Sequence, residues 1–415
     1  MTISPSRRRF LQSTVGTSAF VSSGLAVPTF LARTANAIAG DRAPRGDNVL
    51  VVVQLSGGND GLNTVIPYGD AAYNRNRIAL RITRGQVLKI DDYVGLHPRM
   101  EGLSELLEEG RLAIVQGIGY PNPNRSHFES MDIWHTAARG DDRAPTGWLG
   151  RYLDRAVGDA ARDVPALYLG DNELPLALAA RDTPVPSFQS LESFRLRTAG
   201  GAVPAKALRT LAAVPRGHAP SLTDFVQKSM LNALDASGKV QEAVRADSSS
   251  VSYPSFDLAR KLQNVARLID AGLKTRIYYV SLGGFDTHAN QLQAHAGLLS
   301  ELSQSVKAFC DDLSQRGQLD RVLVMSFSEF GRRVKENASA GTDHGAAAPL
   351  FLAGGKVRRG LIGAHPSLTN LDRGGDLKFH TDFRQVYATI LDRWLGASSE
   401  AVLGKKYRAV DVVKG

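Results

Sequence analysis

The run at 48–55, Asn-Val-Leu-Val-Val-Val-Gln-Leu, leads straight into Ser56-Gly57-Gly58-Asn59-Asp60-Gly61, and this junction constrains the fold most. An apolar run without alternation suits a strand buried on both faces, as in a parallel sheet covered by helices. The glycines let the backbone turn tightly at the strand end, and they set Asp60 at the edge where α/β sheets gather ligands. The pattern repeats along the chain. A helix is predicted over 98–110, with Leu103, Leu106 and Leu107 on one face and Gly110 as its stop, followed by a strand over 111–116. Further strands are predicted over 166–170, 276–282, 321–326 and 349–353, and helices from Ser126 and over 221–235, 257–271, 291–315 and 381–395. The β-α-β order implies an α/β fold: a mostly parallel sheet in a three-layer arrangement with helices on both faces. The stretch 158–255 has weaker patterning and reads as a mid-chain insertion or cap over that sheet.

The first 37 residues stand apart. Ser6-Arg7-Arg8-Arg9-Phe10-Leu11-Gln12 precedes a weakly apolar stretch over 13–31 and then Ala35-Asn36-Ala37. The segment resembles a twin-arginine export signal cleaved after Ala37, with Ala39 as second choice, which implies a periplasmic or extracellular protein. The remaining 38–415 reads as a single α/β domain, with no later apolar run of the ~20 residues a membrane span needs. The signal contributes Arg7, Arg8, Arg9 and Arg33 to a net charge of +9, leaving +5 spread along the chain, which gives no reason to expect nucleic acid as a partner. Cys310 is the only cysteine, so disulfides play no part; its helical surroundings predict a buried core residue.

Four segments at predicted strand ends carry metal-ligand residue types. Asp60 lies among glycines. Asp286 and His288, in Gly284-Phe285-Asp286-Thr287-His288, are two apart and project to one side of an extended turn. Glu329 is the first acid after the strand at 321–326, and Asp343-His344 sits between glycines before the next strand. A parallel sheet brings all of these to one edge, and a mixed Asp/Glu/His set without cysteine suits zinc or manganese, one or two ions. At the loop-to-helix junction Asn124-Arg125-Ser126-His127-Phe128, Ser126 is placed to attack phosphorus or sulfur, with Arg125 neutralising charge, or simply to cap the helix. His295 reads as a surface helix residue, and His97, His127, His135, His218 and His365 as structural; His380, ahead of a helix start at Thr381-Asp382, could reach the sheet edge but ranks below the other candidates. Trp134, Trp148 and Trp394 have core-like neighbours. No dinucleotide-binding glycine pattern is present.

The motifs Gly57-Gly58-Asn59-Asp60-Gly61-Leu62-Asn63, Arg125-Ser126-His127-Phe128, Gly284-Phe285-Asp286-Thr287-His288, Ser328-Glu329-Phe330-Gly331-Arg332, Thr342-Asp343-His344-Gly345 and Asp382-Phe383-Arg384 resemble those of domain-of-unknown-function family 1501, over nearly all of 47–397. That family is in turn similar to the alkaline phosphatase and sulfatase-like superfamily. The resemblance implies an exported metal-dependent hydrolase of a small-molecule or polymeric phosphate or sulfate ester, with Ser126 or an activated water attacking. One departure is plain: where the superfamily has Asp-His-Gly, this chain has Glu329-Phe330-Gly331, so one imidazole is missing. That departure raises the alternative of an inactive periplasmic binding or assembly protein. The formylglycine sulfatase motif Cys/Ser-x-Pro-x-Arg is absent at both Ser126 and Cys310.

Overall fold

A computed structural model describes residues 48–140, 145–156, 165–170, 173–183, 185, 187–188, 249–273 and 275–414. The strands in chain order are β1 (Val49–Leu55), β2 (Val65–Ile66), β3 (Leu88–Lys89), β4 (Gly95–Leu96), β5 (Leu112–Gly119), β6 (Ala166–Leu169), β7 (Ser187–Phe188), β8 (Ile277–Leu282), β9 (Val322–Ser328), β10 (Ala348–Ala353), β11 (Gly360–Ile362) and β12 (Thr381–Asp382). The main sheet runs β11-β5-β10-β9-β1-β8-β6-β7, with β12 also on β5. Every pairing in it is parallel except those of β10, which is antiparallel to both β9 and β5. Strands β2, β4 and β3 form a small antiparallel sheet. The mostly parallel α/β arrangement expected from the sequence is what the chain adopts.

The apolar run of β1 is buried along its whole length because it lies mid-sheet with helices on either side. The helices are α1 (Ala71–Asn76), α2 (Glu101–Glu108), α3 (His127–Thr136), α4 (Trp148–Ala156), α5 (Asp257–Asp270), α6 (Gln291–Gln315), α7 (Phe383–Thr389) and α8 (Ser399–Leu403). Val49, Val51, Val53 and Leu55 pack with α2, α5 and α6, whereas Leu50 and Val52 pack with α3, α4, α7 and α8, giving three layers. In α6, Leu299, Leu302, Val306, Phe309 and Leu313 recur at helical spacing and face the first of these layers. Cys310 is buried among them, and burial pushes its thiol up to about 12, which makes it inert. On the opposite layer Trp134 stacks on Phe383 and Trp148 on Tyr387 at 4.3 and 4.1 Å, so these tryptophans are core. Asp382 caps α7 in a capping box with Gln385, and a π-helical turn over Ile390–Leu395 continues it.

Within 158–255, β6 and β7 extend the edge of the main sheet through β8, and residues 189–248 lie outside the described part, including the helix predicted over 221–235. The export segment also lies outside the described residues. No described helix is long and apolar enough to cross a membrane.

Register explains how the site is assembled. Leu55 pairs with both Leu282 and Ser328, so β1, β8 and β9 end level and release 56–61, 283–288 and 329–334 at one edge. The antiparallel β10 enters from that same edge, which keeps the whole connection 329–347 there. Strand β5 points the same way as β9, so the loop leading to α3 begins at that edge too.

Candidate metal centre

The oxygen Asp286 Oδ1 is the focus of this edge. It lies 3.0 Å from His288 Nε2, 3.1 Å from His344 Nε2, 3.4 Å from His127 Nε2 and 2.7 Å from Arg332 Nη2. The two nitrogens His288 Nε2 and His344 Nε2 are 2.9 Å apart. Among the described residues one group of ligand-type atoms from three residues, His127, Asp286 and His344, lies close enough to share an ion, all within 4.8 Å. His288 joins it through Asp286 and His344. The Asp286 and His288 side chains are 48% and 44% exposed, so the set is open on one side, as a site that must admit a further ligand requires.

The far side of each ring determines what its Nε2 presents. His344 Nδ1 is 2.7 Å from the carbonyl of Arg125, which can only accept, so Nδ1 carries the proton and Nε2 a lone pair. His127 Nδ1 donates to Glu329 Oε1 at 2.8 Å. The Nε2 of His127 is then buried without a hydrogen-bond partner, near Asp286 but not aligned to bond it. His288 Nδ1 faces Asp343 Oδ1 at 3.5 Å. With all three rings neutral, their Nε2 lone pairs and one carboxylate oxygen converge, a donor set suited to a cation. Donors around a zinc ion at Zn–N ~2.05 Å lie ~3.3 Å apart in a tetrahedral site, close to the 2.9–3.1 Å among Asp286, His288 and His344 and the 3.4 Å from Asp286 to His127, while His288 lies outside the three-residue group within 4.8 Å and would have to move toward His127 to share the ion. The residues present therefore fit a divalent ion of zinc type.

Arg332 supplies positive charge from behind. It is fully buried, and its guanidinium donates to the carbonyls of Gly57, Gly58, Phe285 and Thr342 as well as to Asp286. Three backbone segments at the edge, 57–58, 285–286 and 342, are thereby tied to one side chain. Burial alone would raise the Asp286 pKa, but the hydrogen bond and the charge of Arg332 hold it below the usual carboxylate range.

The sequence-predicted ligands divide accordingly. Asp286, His288 and His344 converge as expected. Asp60 does not join them: it is fully buried, with Arg77 Nη1 on Oδ2 and Nη2 on Oδ1 at 2.5 and 2.9 Å and Gln291 Nε2 on Oδ2 at 2.6 Å. Desolvation pulls its pKa up, but the guanidinium outweighs that and holds it down. Glu329 is not placed as a ligand either. Its Oε1 accepts from Gly57 N and His127 Nδ1, and its Oε2 from Ser328 Oγ, so it stands behind His127. Asp343 likewise stands behind His288 and accepts from Asn337 Nδ2.

Arg125 and Ser126 both lie at the start of α3. The Arg125 guanidinium is bound to buried Asp376, while its carbonyl orients His344. Ser126 occupies the N-cap position of α3, is exposed, and makes no capping hydrogen bond. His127 and Arg332 were missed by reasoning from spacing. The available signal for His127 was its position on the first turn of a helix that starts at the ligand edge. His295 is buried rather than on the surface, 2.8 Å from Asn59 Oδ1, and burial pushes it down to about 4.

Phe330 is buried with its ring centroid 4.9 Å from that of His127 and 4.7 Å from that of His344, forming an apolar wall where an imidazole was expected. Residues 47–403 match the family model described as "Protein of unknown function (DUF1501)". The chain belongs to this family. No curated protein matches the chain. Among solved structures, it is similar to a protein in the alkaline phosphatase superfamily from Vibrio parahaemolyticus at 8% identity and TM-score 0.36, over 91% of this chain and 77% of that one. It is also similar to the 2-O GAG sulfatase BT1596 at 9% identity and TM-score 0.35, over 88% and 76%. A third is the phosphonate monoester hydrolase of Silicibacter pomeroyi, at 12% identity and TM-score 0.33, over 87% and 77%.

In this DUF1501 protein the place of Glu329 gives a direct expectation. Glu329→Ala removes the acceptor that fixes the His127 tautomer and is expected to weaken zinc binding ~10–100-fold, whereas Glu329→Gln, whose amide oxygen still accepts, loses less. Competition against a chelator of known affinity measures both.

Proposed function

We propose that this protein is an exported hydrolase of phosphate or sulfate esters with a single divalent metal centre held by His127, Asp286, His288 and His344. The observation that carries the metal reading is the convergence of three imidazole nitrogens on Asp286 Oδ1, one of them, His127 Nε2, buried without a partner. The ester class comes from the motif resemblance set out above; an ion at this open edge would supply the positive charge that an ester oxyanion needs. When bound, the ion acts as a Lewis acid toward an ester oxygen.

The chain's own groups do the rest. Glu329, Asp343 and the Arg125 carbonyl hold three rings with their Nε2 atoms inward. Arg332 keeps Asp286 ionised and fixes the loops that bear it. The Ser126 hydroxyl, exposed and next in sequence to His127, is the side-chain nucleophile available at this edge.

The test is turnover of aryl and alkyl phosphate and sulfate esters by the zinc- or manganese-loaded mature chain. Metal-dependent hydrolysis that falls at least ~100-fold in Ser126→Ala assigns the attack to Ser126. Hydrolysis retained in that variant assigns it to water. Stoichiometric metal with no turnover on any ester would leave the non-catalytic binding role, for which Phe330 in place of an imidazole is the supporting feature.

A further inference from the structure

Beside the ligand set lie two arginines whose donors the proposed chemistry leaves unused. Arg125 places Nε and Nη2 on Asp376 Oδ2, and its Nη1 has no acceptor among the described residues. Arg333 reaches the other oxygen of the same carboxylate only loosely, Nε to Oδ1 at 3.9 Å, and its side chain makes no hydrogen bond among the described residues. Both side chains are a little over one-third exposed, whereas Asp376 is fully buried and its Oδ1 has no hydrogen-bond partner. Asp376 is held in a tight turn: its N–H and that of Gly374 both donate to Asp372 Oδ1 at 2.8 Å. Arg125 Nη2 lies close to Gly374, where a Cβ would collide with it.

The two arginines hang directly on the backbone that carries the ligands. The Arg125 carbonyl bonds His344, and the Arg333 N–H donates to the carbonyl of Asp343 at 3.0 Å. Asp372 lies close enough to Asp376 to raise its pKa, although burial does most of that, but one Asp372 oxygen is already committed to the turn. A guanidinium is a planar fork of five N–H donors, matched geometrically by an oxyanion. Two such forks share one buried carboxylate here, and most of their donors face no acceptor among the described residues.

We propose that Arg125 and Arg333, with Asp376 as positioning residue, form a second anion site that binds a non-reacting carboxylate, sulfate or phosphate of the substrate. The substrate class is then an ester on a molecule that bears at least one further anionic group. That assignment of substrate rests on the hydrolase reading; the anion site itself does not.

Propane-1,3-disulfonate and propane-1-sulfonate are suitable probes, since neither is hydrolysed and sulfonates are weak metal ligands. Their affinities for the zinc-loaded protein are measured by calorimetry at constant ionic strength, alongside Arg333→Gln and Arg333→Lys. The wild-type chain is expected to prefer the disulfonate by ~10-fold or more, Arg333→Gln to lose that preference and Arg333→Lys to keep part of it. Metal content and melting temperature should not change, because Arg333 is half-exposed and holds no ligand. Equal affinity for both probes in the wild-type chain, or a preference undiminished in Arg333→Gln, overturns the proposal. A disulfonate preference that depends on Arg333 in a chain that takes up no zinc would instead uphold the anion site and remove the metal reading.

Discussion

At the proposed metal centre, His344→Ala is expected to lower zinc affinity by ~100-fold or more. His344 Nε2 is 2.9 Å from His288 Nε2 and 3.1 Å from Asp286 Oδ1, and its ring also packs edge-on against His127 at 4.4 Å. Removing it takes one donor away and leaves its neighbours without a surface to lie against. His344→Gln keeps much of the bulk but no imidazole nitrogen, so the same loss in both variants assigns the effect to ligation. Elemental analysis after dialysis, followed by chelator competition, reads the outcome. Unchanged zinc affinity in both would show that the ion, if any, binds elsewhere.

The second large effect concerns stability. Arg77→Ala is expected to destabilise the fold by ~3–5 kcal/mol, because it leaves the fully buried Asp60 carboxylate with no counter-charge. The guanidinium also donates to the carbonyls of Arg333 and Val334 at 2.9 and 2.8 Å, so the loss reaches the connection that precedes β10. The pair Arg77→Met with Asp60→Leu, which removes both charges together, is expected to cost much less than Arg77→Ala alone. Denaturant melts of the three chains measure this. If Asp60 were instead a ligand, Asp60→Asn would release metal without a comparable drop in unfolding free energy, and measuring zinc content on the same samples separates the two.

The comparison of sequence with structure turns on what a linear pattern can record. Strand ends were legible because a buried parallel strand is a continuous apolar run and its end is marked by glycine and acid, as in Val49–Leu55 followed by Gly57-Gly58. The helix 291–315 was legible from its spacing and matches α6 to the residue. Which acid meets which cation was not legible. Asp60 looks like a ligand until Arg77, 17 positions away, is brought onto it by the short α1. Glu329 and His127 are separated by 202 positions, and only the level ending of β9 beside the start of α3 makes one the support of the other. Spacing also placed His135 as structural without showing why. It is buried 2.8 Å from Gln54, and desolvation pushes it down to about 4, so it is neutral in the fold. The reversed direction of β10 was not visible either, since a short apolar run carries no sign of its direction.

That reversed strand has a bearing on how such a site can change over time. The connection 329–347 leaves the sheet and re-enters it at one rim, so its length is uncoupled from the spacing of the layers, unlike a helical crossover, which must span a face. Its arms are paired with each other and carry Glu329, Arg332 and His344, so room for gained or lost residues lies at its exposed tip around 338–339. A tip that faces solvent beside the ligands can thus vary in shape while the arms below it keep the site in register.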